Sequence, residues 1–119
     1  MLSGKSVLIV EDAALIAVDI ETMLDELGAT HIVTAGGGET AAPRRFSGDP
    51  FHLAIVDIRT AANIGGNITA DLDRLGVPVV FLTTDAEGNG LPPFEGGHAV
   101  VLKPFTYEDI CAAIARLPI

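Results

Sequence analysis

Five side chains in this sequence could do chemistry together: Glu11, Asp12, Asp57, Thr83 and Lys103, the last followed by Pro104. Three carboxylates, a hydroxyl and an ammonium are a donor set for moving a phosphoryl group. A hard cation such as Mg²⁺ takes oxygen ligands, often one or two carboxylates plus waters. Asp12 and Asp57 can supply them, with Glu11 holding a bound water. Packed carboxylates repel without such an ion, which favours metal binding. Asp57 is then a nucleophile for phosphorus, and Thr83 and Lys103 can hold the phosphoryl oxygens as charge shifts. Each residue alone has an ordinary structural role. Glu11-Asp12 could cap a helix, Thr83 could be a β-former, and Lys103 a solvated charge. Their joint placement is what points to chemistry.

That placement depends on the elements before each group. Leu53-Ala54-Ile55-Val56 runs straight into Asp57. An unbroken apolar run suits a strand buried on both faces of a parallel sheet, with the acid at its C-terminal end. Lys5 to Val10 forms a similar run and ends at Glu11-Asp12. His31 to Ala35, Val77 to Thr83 and Ala99 to Leu102 complete five expected strands. Ile16, Ile20, Met23 and Leu27 mark the apolar face of a first helix, which Gly28 ends. A weak second helix is expected from Glu39, interrupted by Pro43, and Ser47 to Pro50 reads as a turn. Thr60 to Thr69 reads as loop, with helix only over Ala70 to Leu75. Asp85 to Gly97 holds too many glycines and prolines for a regular helix. Thr106 starts a capped last helix with Ile110, Ala113, Ile114 and Leu117 buried. Strands alternating with helical segments predict a doubly wound α/β fold in which all strand ends share one edge, where ligands bind.

The chain has 119 residues, one domain's worth, and a formal net charge of −9. That charge argues against nucleic-acid binding, which needs a basic footprint, and against anionic membrane surfaces. Lone Cys111 cannot form an internal disulfide, and no stretch reads as a signal or a membrane span. A cytoplasmic protein is expected. The chain stops soon after the last helix, so 1–119 reads as one domain with no output domain.

Glu11-Asp12, Asp57, Thr83 and Lys103-Pro104, in this order on successive strand ends, resemble the receiver domain of two-component response regulators. The resemblance covers nearly the whole chain. It implies a flavodoxin-like (βα)5 fold with strand order 2-1-3-4-5, here with a shortened third helix and an irregular fourth. It implies phosphorylation of Asp57 by a histidine kinase or phosphotransferase, and Mg²⁺ (or Mn²⁺) held by Glu11, Asp12, Asp57 and the main-chain carbonyl of Arg59. Thr83 and Lys103 would bind the aspartyl phosphate, and a cis Lys103-Pro104 peptide would aim the lysine. No enzyme is implied beyond the domain's own phosphorylation and dephosphorylation. Signalling would run through contacts with a downstream protein. Val100, three residues before Lys103, stands where most receivers place a Tyr or Phe that reports phosphorylation. The chain looks like a divergent single-domain receiver.

Other readings fare worse. The alternative is a pseudo-receiver, binding partners without phosphorylation: the complete acid, Thr and Lys set argues against it, while Val100 and the irregular flanking regions argue for it. A haloacid-dehalogenase-type phosphatase would want a second acid where Arg59 stands, and a flavodoxin-like carrier a hydroxyl-rich loop where Glu11-Asp12-Ala13 stands. Gly36-Gly37-Gly38 has no lysine after it and reads as loop. His31, His52 and His98 lack metal-ligand spacing, and Cys111 reads as a packed small residue. Arg59 and Asp85 are expected to flank the mouth of the site, where an ion pair between them would restrict what reaches Asp57.

Overall fold

The computed structural model describes residues 1–36, 51–64 and 67–119. The expected helix from Glu39 and the turn at Ser47 to Pro50 lie outside them. Five strands form one parallel sheet: β1 Ser6–Val10, β2 His31–Ala35, β3 Leu53–Asp57, β4 Val79–Thr83 and β5 His98–Leu102, in the order β2-β1-β3-β4-β5. Four helices are present among the described residues: α1 Ala14–Glu26, α2 Ile58–Asn63, α3 Ile68–Arg74 and α4 Tyr107–Ala115.

The uninterrupted apolar runs follow from burial on both faces. Val7 and Ile9 of β1, Leu53 and Ile55 of β3, and Val80 and Leu82 of β4 pack against Ile20 and Leu24 of α1 and Ile110 and Ile114 of α4. The alternate residues Leu8, Val10, Ala54, Val56, Val79 and Phe81 face the other way, onto Ile64, Ile68 and Leu72. Alternation at period two therefore serves two cores at once. Edge strand β5 alternates instead, and Val100 and Leu102 remain exposed.

The buried line of α1 is Ala17, Ile20 and Leu24, with Ile16, Met23 and Leu27 partly buried beside it. The expected stripe is thus rotated by about one residue, with small Ala17 on the line that faces the sheet. Gly28 ends α1 with φ +94°, its N–H donating to Asp25 O and the next amide, of Ala29, to Leu24 O. This paired closure needs a left-handed residue at that point. Gly76 ends α3 in the same way, with φ +73°.

After β3 the loop expected over Thr60 to Thr69 is corrected. Residues up to Asn63 are helical, because Asp57 is itself the N-cap of α2 and accepts the Thr60 amide. The second short helix starts at Ile68, two residues before the expected Ala70, with the Asn67 side chain accepting the Ala70 amide. The apolar anchors Ile64 and Ile68 pin both pieces to the sheet.

Between β4 and β5 no described residue is helical. This segment is fastened at its far end. The Asp73 carboxylate accepts the amides of Glu95 at 2.9 Å and Gly96 at 3.0 Å. Phe94 meets Phe81 edge-on, ring centres 5.6 Å apart, and His98 meets both rings. His52 is structural, its Nδ1 accepting the Ser6 amide at 3.0 Å. The last helix opens with the expected cap: the Thr106 hydroxyl accepts the Asp109 amide while the Asp109 carboxylate accepts the Thr106 amide.

The rotated stripe of α1 can be tested by paired truncations. Leu24→Ala is expected to cost about 2–5 kcal/mol, as for a fully buried leucine. Leu15→Ala, at a position 84% exposed, should stay within about 0.5 kcal/mol. Urea unfolding of both variants reads the difference.

Candidate functional site

The parallel order brings the C-terminal ends of β1, β3, β4 and β5 to one edge. Glu11 and Asp12 follow β1, Asp57 ends β3, Thr83 ends β4, and Lys103 follows β5. All five line one cleft of about 600 Å³, which Arg59, Thr84, Asp85 and Asn89 also line.

At its floor Lys103 Nζ lies 2.7 Å from Glu11 Oε1 and 3.0 Å from Asp57 Oδ1. Glu11 is 2% exposed and Asp57 8%. The second oxygen of Glu11 accepts the Ala13 amide at 3.2 Å. The second oxygen of Asp57 accepts two donors from Thr60, the amide at 2.9 Å and the hydroxyl at 2.7 Å. That hydroxyl in turn accepts the Asp12 amide at 3.2 Å. The Thr83 hydroxyl accepts the Asp85 amide at 3.0 Å, which leaves its own proton to donate elsewhere. Lys103-Pro104 is a cis peptide, as the resemblance implied.

Burial by itself would raise the Asp57 pKa. The hydrogen bonds from the Thr60 hydroxyl and amide, and the Lys103 ammonium, outweigh it and hold the carboxyl below its ordinary value. For Lys103 burial pulls downward, while its hydrogen bonds and charge contacts with Glu11 and Asp57 prevail and raise its pKa.

Glu11, Asp12 and Asp57 each offer an oxygen, all within 4.8 Å of one another. This acidic cluster is compatible with a metal ion. Its donors are all oxygen, and exposed Asp12 leaves room for the waters a hard cation keeps.

Five of the residues singled out from the sequence thus meet at one place. The expected Arg59–Asp85 ion pair is not among the ion pairs of the described residues. Asp85 turns its carboxylate to its own loop, accepting the Glu87 amide at 2.9 Å, while Arg59 is exposed in the first turn of α2. Thr60, fully buried, is the site residue that sequence reasoning missed. Its signal was present as a Ser/Thr three residues after an acid, the spacing of an N-cap.

The sheet order and the acids at its carboxyl edge define a flavodoxin-like α/β domain with its site at the strand ends. The chain has the fold of response-regulator receiver domains and is similar to them in sequence, as a divergent example. No protein-family model matches it. The transcriptional regulatory protein PdtaR of Mycobacterium tuberculosis is 30% identical over 113 residues, covering 92% of this chain and 55% of PdtaR. The chain therefore spans about half the length of that curated relative. Among solved structures, the stress response regulator PhyR is 33% identical over 94% of this chain and 44% of its own, TM-score 0.70. SdrG of Pseudomonas melonis Fr1 in its BeF3-activated conformation is 28% identical, with both chains fully covered and a TM-score of 0.71. The receiver domain of the histidine kinase PA1611 of Pseudomonas aeruginosa, solved with magnesium in its active-site cleft, shares the fold at 22% identity and TM-score 0.76, covering 96% of this chain and 97% of its own. No helix among the described residues is long and apolar enough to cross a membrane.

The Asp57 shift sets the sign of a pH effect in metal-free protein. A carboxyl with a folded pKa below its unfolded value of about 3.9 contributes stability that is present above that value and lost as pH falls through the folded pKa. Lys103, raised, contributes stability that is present below about pH 10 and lost as pH rises through its folded pKa. In chelator, the stability of wild type relative to Asp57→Asn should therefore fall as pH drops from about 5 to 3. Denaturant midpoints across that range, at fixed temperature, check it.

Proposed function

We propose that this receiver accepts a phosphoryl group on Asp57 from a phosphohistidine of a kinase or phosphotransferase, in a Mg²⁺-dependent step, and signals through protein contacts. The observation that carries this reading is the Asp57 carboxylate 3.0 Å from the Lys103 ammonium at the floor of an open, acid-lined cleft. The BeF3-activated state of SdrG and the magnesium in the PA1611 receiver support it by likeness.

An Asp57 carboxylate oxygen forms a bond to phosphorus as the bond from phosphorus to the donor breaks, its electron pair leaving with the donor. Lys103 is already within hydrogen-bonding distance of that carboxylate, so its ammonium can follow charge onto the phosphoryl oxygens. Thr83 can donate its unused proton to one of them. Mg²⁺ would be held by Asp12, Asp57 and the Arg59 carbonyl, with Glu11 acting through water because Lys103 and the Ala13 amide already engage its carboxylate. When bound it supplies neutralising charge between the carboxylates and the phosphoryl oxygens.

Downstream contact cannot use an aromatic at position 100. Val100 is 41% exposed on edge strand β5, and Leu102 45%. These side chains would present the response to a partner protein directly.

Incubation with acetyl phosphate and Mg²⁺, read by intact mass, tests the reading. One phosphoryl adduct is expected on the wild type and none on Asp57→Asn or without divalent ion. Lys103→Ala is expected to slow loading by about 10²–10³. If phosphorylated kinases and phosphotransferases also leave the wild-type mass unchanged, the chain acts as a non-phosphorylated interaction module.

A further inference from the structure

The two oxygens of Asp57 are not equivalent. Oδ2 accepts both the amide and the hydroxyl of Thr60, at 2.9 and 2.7 Å, whereas among the described residues Oδ1 meets the Lys103 ammonium alone, at 3.0 Å. A carboxylate oxygen has two in-plane lone-pair sites. Thr60 engages Oδ2 twice, so Oδ1, with a single contact, is the less engaged oxygen.

Capping α2 needs only the Thr60 amide, so the hydroxyl is surplus to the cap. It is nonetheless fully buried, and it also accepts the Asp12 amide at 3.2 Å. One hydroxyl thus links the nucleophile to the main chain after β1, where Glu11 and Asp12 stand.

We propose that Thr60 is a positioning residue for phosphoryl transfer: its hydroxyl fixes the Asp57 carboxylate so that Oδ1 is the attacking oxygen, and ties that orientation to the Asp12 main chain. The inference rests on the reading of Asp57 as the acceptor. With acetyl phosphate, Oδ1 bonds to phosphorus as the bond from phosphorus to the acetyl oxygen breaks, and acetate leaves with the electron pair. Carboxylate and donor dianion become an aspartyl phosphate dianion and acetate, so charge balances with no proton added. Loss of the hydroxyl frees the carboxylate to turn about its Cβ–Cγ bond, and small misplacements of a reacting atom are expensive in rate.

Acetyl phosphate loading with Mg²⁺, followed by intact mass over a range of donor concentrations, tests this on the whole chain. Thr60→Val keeps the amide and nearly the volume but removes the hydroxyl, while Thr60→Ser keeps the hydroxyl. Thr60→Val is expected to lower the saturating rate by about tenfold to a hundredfold with little change in half-saturating donor concentration, and Thr60→Ser to restore most of it. Wild-type loading by Thr60→Val, or an equal loss in Thr60→Ser, overturns the role of the hydroxyl and leaves Asp57 as acceptor. A wild type that takes no phosphoryl group overturns both. Should Thr60→Val fail to fold, proton NMR of the wild type decides. A slowly exchanging Thr60 hydroxyl proton close to the Asp12 amide is expected, and one in fast exchange with water overturns the proposal.

Discussion

An ammonium held between two carboxylates, at the end of an aliphatic sheet, is what the rest of this molecule has to accommodate. Glu11 and Asp57 are almost without water, and like charges in such surroundings repel strongly. Lys103 reaches Asp57 from two strands away and Glu11 from three. Because β4 lies between β3 and β5, the lysine side chain must cross the end of β4, and the residue there is small Thr83. Strand order, the size of residue 83 and the charge of residue 103 are therefore one constraint. A breakage of the triad leaves a buried charge unpaired, which is far costlier than losing a surface ion pair.

Asp57 carries a second duty that narrows its freedom further. It ends β3 and caps α2, so the backbone leaves the sheet through the residue that faces the cleft. The N-terminal turn of α2 supplies donors to one carboxylate oxygen, and Lys103 supplies a cation to the other. The cap thus takes one oxygen and the ion pair the other, and the cap explains why the region after β3 is helical despite its small, polar composition.

Much of this was legible in the sequence. Strands buried on both faces must be continuous apolar runs, and continuous runs that end in acid, hydroxyl or ammonium locate the edge. β1, β3 and β4 announced themselves in this way. The helices were read less well, for identifiable reasons. On α1 the small residue Ala17 took the centre of the buried line, a choice that hydrophobicity alone does not reveal. The start of α2 was hidden because its cap was read only as a nucleophile and metal ligand. The Arg59–Asp85 pair failed because an aspartate can satisfy itself on the amide two residues on, at no cost in long side-chain ordering. Contacts such as Asp73 with the amides of Glu95 and Gly96 left no mark, since the acceptors' partners are main-chain groups common to every residue type.

That last contact has a consequence for how the chain can vary. Glu95 and Gly96 are held through their N–H groups, so any residue but proline, which has no N–H, can serve at Glu95, whereas a side chain at Gly96 would press its Cβ to 3.2 Å from both Asp73 Oδ1 and the Phe94 ring. The stretch before Phe94 can exchange residues, or gain and lose them, while β5 keeps its register with β4. Asp73, by contrast, tolerates little. Asp73, Phe94 and Gly96 thus carry the sequence requirement at the far end of this connection, and the residues before them are spared it.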